Sequence, residues 1–300
     1  MHTISLSAPA KVNLFLEVTG KRPDGYHELA TLFAKISLSD YITISADQSD
    51  EEDLFLEITG PLGKGLQADE SNLVLRAVRA FEEEFNIKLK AHITLEKHIP
   101  MGAGLGGGSS DAGTTLLALC RIFNKDPLRL LPRAAKLGAD VALFLYPDTF
   151  LKGEGIGEKL TPVEVNAPPP YVVLVYPDTH VPTKGVFARL HLDSANNRLT
   201  KTSLLDKLLL SLKNADSLQE WSSFLFNRLE EAVLPYVDSV KKLKDDFLQL
   251  KAITLMSGSG STVFALTSTQ EQAKDLAEKM KKEGRKVFIT HFGGKTDENN

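Results

Sequence analysis

Pro100-Met101-Gly102-Ala103-Gly104-Leu105-Gly106-Gly107-Gly108-Ser109-Ser110 contains five glycines in eleven residues. Ahead of it, Ala91-His92-Ile93-Thr94-Leu95-Glu96 alternates small or apolar residues with polar ones, the pattern of a half-buried strand. Behind it, Leu116, Leu119, Cys120 and Phe123 recur at helical spacing, which predicts a helix from about Ser109. A strand, a glycine loop and a helix in that order aim several backbone N–H groups at an anion, with the positive end of the helix dipole behind them. Side chains would close that backbone to a phosphate, and glycine leaves it open. Ser109, Ser110 and Asp111 fit as helix caps, and the two hydroxyls also suit a phosphate or its metal ion.

Two generic motifs overlap the loop, and neither explains it. Gly102, Gly104 and Gly107 satisfy G-x-G-x-x-G, but Pro100 precedes the first glycine and no clear βαβ unit surrounds the run. Gly102 and Gly107 also satisfy the first half of a P-loop. Gly108 stands where the lysine must follow, which excludes that motif. A flexible linker would not sit between a clean strand and a clean amphipathic helix.

A length of 300 residues suits two adjoining domains. Hydrophobic content of 42% and charged content of 25% are those of an ordinary globular chain. The net charge of −4 argues against a nucleic-acid partner, which would call for a basic field. A phosphate must then be held by local dipoles and a metal. Cys120 is the only cysteine, so no intramolecular disulfide or thiolate metal cluster forms. On the apolar face of the predicted helix it reads as a core residue. No signal peptide or membrane-length apolar run is visible, and a cytosolic protein with no membrane partner is expected.

Alternation predicts strands over 2–8, 11–18, 32–44 and 54–59, and Ser71-Asn72 caps a helix to about residue 85. A tight turn falls at Lys21-Arg22-Pro23-Asp24-Gly25, and the acidic stretch 47–53 reads as a solvated loop without a metal-ligand pattern. A second helical stretch covers 126–137, and Gly153-Glu154-Gly155-Ile156-Gly157 reads as a turn. After Pro168-Pro169-Pro170 comes a buried strand over 171–176. Helices are predicted over 184–190, 204–212, 218–225, 229–234, 237–248 and 270–283, strands over 253–256, 262–266 and 286–290, and a disordered tail from Lys295. This mixture without strict alternation predicts an α+β fold in two lobes, divided near 155–165 into domains 1–160 and 161–300.

Three blocks in order carry a resemblance. Pro9-Ala10-Lys11-Val12-Asn13-Leu14, the glycine loop and Met256-Ser257-Gly258-Ser259-Gly260-Ser261 resemble the motifs of the small-molecule kinases named for galactose, homoserine, mevalonate and phosphomevalonate, the GHMP kinases. The resemblance implies an N-terminal lobe like the second domain of ribosomal protein S5 and a ferredoxin-like C-terminal lobe. It also implies ATP as co-substrate with Mg²⁺, bound by Pro100, Met101, Gly102, Ala103, Gly104, Leu105, Gly106, Gly107, Gly108, Ser109 and Ser110, with Asn72 and Lys97 as further contacts.

Within that family, Pro23-Asp24-Gly25-Tyr26-His27 and Gly138-Ala139-Asp140-Val141 are similar to the branch that phosphorylates the 2-hydroxyl of a cytidine-diphosphate-linked methylerythritol, on the non-mevalonate route to isoprenoids. Other branches lack the first of these segments. The resemblance makes Tyr26 a stacking platform for cytosine, His27 a partner of the base edge, Phe187 the opposite ring, and Asn13 a contact to the methylerythritol. Read as residues alone, Tyr26 and His27 are equally strand-end rings, and residues 257–261 an ordinary turn. Ala142 departs from the proline usual after Gly-Ala-Asp-Val, and Arg228 follows Asn227 where aspartate is common.

Phosphoryl transfer needs phosphate positioning, charge neutralisation and an oriented hydroxyl. Asp140, flanked by small residues, is the candidate base, and Lys11, between Pro9 and an apolar strand, its partner. A lysine beside an aspartate favours the carboxylate and by the same attraction weakens it as a base. True proton abstraction and transition-state stabilisation therefore both stand open.

Overall fold

The computed structural model describes residues 1–51, 53–167, 170–190 and 195–293, with side chains of 195–200 omitted. Pro168, Pro169 and the tail from Lys295 lie outside the described residues. The first lobe comprises β1 (His2–Lys21), β2 (His27–Gln48), β3 (Asp53–Thr59), α1 (Leu73–Phe85), β4 (Leu89–Glu96), α2 (Gly107–Ile122), α3 (Leu131–Leu137), β5 (Phe150–Gly155) and β6 (Lys159–Pro162). Two short 3₁₀ turns, Pro127–Leu130 and Ala142–Leu145, flank α3. The second lobe comprises β7 (Tyr171–Tyr176), α4 (Thr183–Ala188), α5 (Ala195–Lys213), α6 (Leu218–Trp221), β8 (Phe226–Asn227), α7 (Glu230–Val233), α8 (Asp238–Gln249), β9 (Ile253–Met256), β10 (Val263–Thr267), α9 (Gln270–Met280) and β11 (Lys286–His291).

The first sheet runs β3-β4-β2-β1-β8, with β5 on β2 and β6 on β5. Residues 2–8 and 11–18, expected as two strands, are one. Pro9 cannot donate to the ladder, and the register shifts between Pro9 and Ala10, so a bulge absorbs the proline without ending the strand. The turn expected at 153–157 starts later, since residues 153–155 end β5 and Gly157 N donates to the Glu154 carbonyl at 3.1 Å in the turn that leads into β6. Gly153 stays in the strand because a Cβ there would meet the Phe33 ring at 2.7 Å and the Thr31 methyl at 2.8 Å. The helix expected to reach residue 283 stops at Met280.

One face of this sheet is covered by α1, α2 and α3 around Leu6, Ile44, Phe81, Ile93 and Leu119. Cys120 belongs to that core, and burial pushes its thiol up to about 12. In the second lobe, β11-β7-β10-β9 form an antiparallel sheet with helices between β7 and β9 and between β10 and β11. That order is the ferredoxin-like arrangement. A further core joins the lobes, with Leu14, Phe15 and Ile36 of the first against Leu174, Trp221 and Phe264 of the second. The whole two-sheet architecture is α+β. Among the described residues, no helix is long and apolar enough to cross a membrane.

Lys35 lies in this scaffold with 2% of its surface exposed, its ammonium donating to the Tyr146 carbonyl. Burial pushes its pKa down from 10.5 to about 8, against a small opposing pull from Asp148. Between those two values the unfolded chain binds the extra proton, so this lysine makes stability rise with pH from about 8 to 10.5. At about 1.4 kcal/mol per pKa unit the rise is on the order of 3 kcal/mol. Below pH 8 the full cost of the buried charge is present. Denaturant unfolding of wild type and Lys35→Met across this range should show the wild type gaining on the variant as pH rises. Parallel curves would remove the assignment.

Candidate active site

Lys11 and Asn13 are two residues apart on β1, so both face one side of the sheet while Val12 and Leu14 enter the core. They open into a cavity of about 1470 Å³ between the lobes. A single small-molecule pocket occupies roughly 300–1,000 Å³, so two ligands fit here. The Lys11 ammonium is buried, donates to Asn13 Oδ1 at 2.8 Å, and stands 3.3 Å from Asp140 Oδ2. It also lies 5.5 Å from the centre of the Phe33 ring. Asn13 Nδ2 donates to Thr31 Oγ1 at 2.9 Å, and that hydroxyl donates to the Phe15 carbonyl at 2.6 Å. The chain of donors fixes which end of the Asn13 amide faces the lysine.

Asp140 sits in the turn between α3 and the 3₁₀ segment, with its carboxylate side chain 29% exposed. Val141 N donates to the Gly138 carbonyl and Phe144 N to that of Val141, both at 3.1 Å. Those bonds close the turn with Ala142 in place of proline. One carboxylate therefore faces both the lysine and the cavity.

The glycine loop is fastened to β1 by Lys11 N donating to the Leu105 carbonyl at 2.9 Å. The helix begins earlier than expected, at Gly107, and its cap is Gly106 in the left-handed region (φ 72°) with no side-chain hydrogen bond. Ser109, Ser110 and Asp111 are thus inside α2 and do not cap it. The first N–H groups of α2 are left for a ligand, as an anion site requires. Ser109 lines the cavity, and the buried Ser110 hydroxyl has no partner.

Asp111 faces inward. Lys97 donates to its Oδ2 at 2.7 Å and also to Asp40, whose other oxygen accepts from Ile99 N at 2.8 Å. Burial, with Asp40 adding to it, pushes the Asp111 carboxyl up to about 8 against the pull of Lys97. Burial works to lower Lys97, but the two carboxylates outweigh it and hold it above its ordinary value. Lys97 therefore ties β2, β4 and α2 together under the loop. Asn72 also lines the cavity while its amide is engaged, Oδ1 accepting from Val74 N at 3.0 Å and Nδ2 donating to the Gln67 carbonyl at 2.8 Å.

At the other end of the cavity, His27 stacks on Phe187 with ring centres 5.0 Å apart and planes 24° from parallel. Burial, then the charge of Lys21, lowers the His27 pKa, which favours the neutral ring. Tyr26 is 60% exposed on the same rim, held by its N–H donating to Asp24 Oδ1 at 3.1 Å.

The second lobe closes the site. Ser257 Oγ donates to the Gly104 carbonyl at 2.9 Å, and Thr262 N to the Ala103 carbonyl at 3.2 Å. Three features escape a reading of the chain alone. The His180 ring occupies the space where any side chain on Gly102 would stand, Thr31 orients Asn13, and Asn227 grips the loop after β9. Only the Asn227-Arg228 pair carried a signal, as a departure from the family pattern.

Among the described residues, no group of three or more His, Cys, Asp and Glu side chains is placed to hold a metal ion.

Comparison with known proteins agrees with this geometry. Residues 72–148 match the GHMP kinases N terminal domain and residues 206–286 the GHMP kinases C terminal. The 4-diphosphocytidyl-2-C-methyl-D-erythritol kinase of Lachnoclostridium phytofermentans is 38% identical over 97% of this chain and 98% of its own. A crystal structure of 4-(cytidine 5'-diphospho)-2C-methyl-D-erythritol kinase superposes with a TM-score of 0.74 at 33% identity, over 97% of this chain and 100% of that one. Homoserine kinase from Cytophaga hutchinsonii shares the fold, with a TM-score of 0.77 at 21% identity over 99% and 96% of the two chains. With both lobes matched and relatives 35–38% identical over nearly the whole chain, the chain belongs to the GHMP kinases, in the family of 4-diphosphocytidyl-2-C-methyl-D-erythritol kinases.

Proposed function

We propose that this cavity transfers the γ-phosphoryl group of ATP to the 2-hydroxyl of 4-diphosphocytidyl-2-C-methyl-D-erythritol. The observation that carries the reading is the Lys11–Asp140 pair, 3.3 Å apart, set in the same cavity as a glycine-capped helix N-terminus and the Tyr26, His27 and Phe187 rings. The two ends of the cavity suit the two substrates. The loop from Pro100 to Ser110 and the start of α2 hold the ATP phosphates, with Asn72 and Lys97 shaping the wall beyond. The aromatic end takes the cytosine, with Asn13 directed at the sugar alcohol.

Asp140 receives the proton of the attacking hydroxyl or orients that hydroxyl, and Lys11 stabilises the charge that develops on the transferred phosphoryl. Mg²⁺, implied by the family, prefers hard oxygen donors and keeps several waters, so it needs few protein ligands. The Ser109 hydroxyl, on the cavity wall at the start of α2, fits that demand and would hold the ion beside the phosphates. When bound, it supplies neutralisation of phosphate charge. The lobes correspond to two working halves, nucleotide loop in 1–160 and closing elements in 161–300.

The test is substrate choice. Activity on the cytidine-diphosphate substrate should far exceed activity on free methylerythritol, and equal rates would mean no cytidine pocket. Tyr26→Ala should weaken binding of that substrate by about 1–3 kcal/mol, the scale of base–aromatic stacking, while Tyr26→Phe changes little. His27→Ala should relax the preference for cytosine over uracil, since an edge contact discriminates where a stacking ring does not.

A further inference from the structure

We infer that Asn227 and Arg228 are positioning residues: together with Glu17 they hold the glycine-serine loop that follows β9 over Lys11. The inference rests on the reading of Lys11 as part of the phosphoryl-transfer site.

The tie begins on β1. Phe226 and Asn227 pair in parallel with Phe15 and Leu16, and Arg228 N donates to the Leu16 carbonyl at 2.8 Å. The Arg228 guanidinium then grips Glu17 with both forks, Nε to Oε1 at 2.8 Å and Nη2 to Oε2 at 2.9 Å. Its remaining nitrogen donates to Glu231 at 2.6 Å. Glu17 is fully buried, and one of its oxygens also accepts from Val18 N at 2.9 Å. Planar bidentate pairing of this kind fixes geometry as well as charge, and lysine cannot reproduce it.

Asn227, pinned between these bonds, turns its amide the other way. Its Nδ2 donates to the Met256 and Gly258 carbonyls, each at 2.8 Å, while its Oδ1 accepts from Leu229 N at 2.9 Å. Both protons of one buried amide are therefore spent on the start of the loop. The loop itself presses on the site. A Cβ on Gly258 would stand 3.4 Å from Lys11 Nζ and 3.4 Å from Asn13 Oδ1. The strand bearing Lys11 and Asn13 and the loop above them are thus joined through one dipeptide. Arg228, which departs from the residue usual in the family, supplies the buried charge that Glu17 requires.

The experiment compares Asn227→Ser and Arg228→Gln with wild type, each normalised to folded protein. Asn227→Ser keeps the backbone pairing and is the milder change. We expect kcat to fall about tenfold in each single variant with KM for ATP little altered, because the lost contact acts on the transition state. Hydrogen exchange at residues 257–261 should accelerate while β4 keeps its protection. Wild-type kcat in folded Asn227→Ser, or quickened exchange without loss of turnover, overturns the inference. Should Lys11→Met itself turn over normally, the reading of the site fails instead, and the two failures are told apart.

Discussion

Replacing Lys11 with methionine should reduce turnover by about 10²–10³-fold, the usual cost of deleting one preorganised donor to transition-state charge. Methionine keeps the stem that lies against Gly106 and removes only the ammonium, which stands over Phe33. ATP should still bind, because the phosphate cradle is made of the loop backbone and the start of α2. Asp140→Asn should fall comparably, by about 10²–10⁴-fold if proton transfer is its task. The double variant separates independent from joint action. A unit in which Lys11 and Asp140 work through one geometry leaves the double little slower than the slower single, whereas independent roles multiply. Single-turnover rates and calorimetric ATP binding on the same preparations decide the matter. Near wild-type turnover in either folded variant removes that residue from the mechanism.

Gly104→Ala should be the most damaging single methyl in the molecule. Gly104 has φ 77°, a region in which an L side chain costs roughly 1–2 kcal/mol. Its Cβ would overlap the Ser257 carbonyl oxygen and stand 2.9 Å from that of Gly260. Both obstacles are backbone, and neither can rotate aside. The added carbon thus drives the nucleotide loop off the second lobe. We expect loss of measurable ATP binding together with a lowered Tm. Gly20→Ala is the control, since its nearest neighbour would be Glu28 Cβ at 3.8 Å and ordinary contact results. A Gly104→Ala protein with wild-type Tm and ATP affinity would show that the loop and the second lobe are not locked together there.

The parts of this molecule that local chemistry dictates were legible in the chain. The strand before the glycine loop, the Asn72 cap, the helical stretch that ends at Gly138 (a 3₁₀ turn and then α3) and the apolar β7 all follow from spacing and caps. Motif resemblance then brought Lys11 and Asp140 to one place. What escaped depends on residues far apart in the chain. Pro9 looked like a boundary because the bulge that accommodates it is made by β2. Asp111 looked like a cap because its buried partner, Lys97, is fourteen positions earlier, just past the end of β4. Phe226–Asn227 is too short to show any periodicity, and it exists as a strand only because β1 lies beside it. The Glu17–Arg228 pair spans 211 positions, and no local pattern joins the two residues.

That last separation bears on how the protein is made. A ribosome adds roughly 5–20 residues each second, and the leading part of a chain begins to fold before the rest has emerged. The sheet of the first lobe is nonetheless incomplete until Phe226–Asn227 arrives to extend it beside β1. Glu17 waits equally long for the guanidinium that follows it out of water. The loop that covers Lys11 lies later still, at 257–261. A nascent fragment can therefore display the nucleotide loop without its roof, and competence for transfer arises only when nearly the whole polypeptide is available. The roof over Lys11 is thus made more than two hundred residues after the strand it covers.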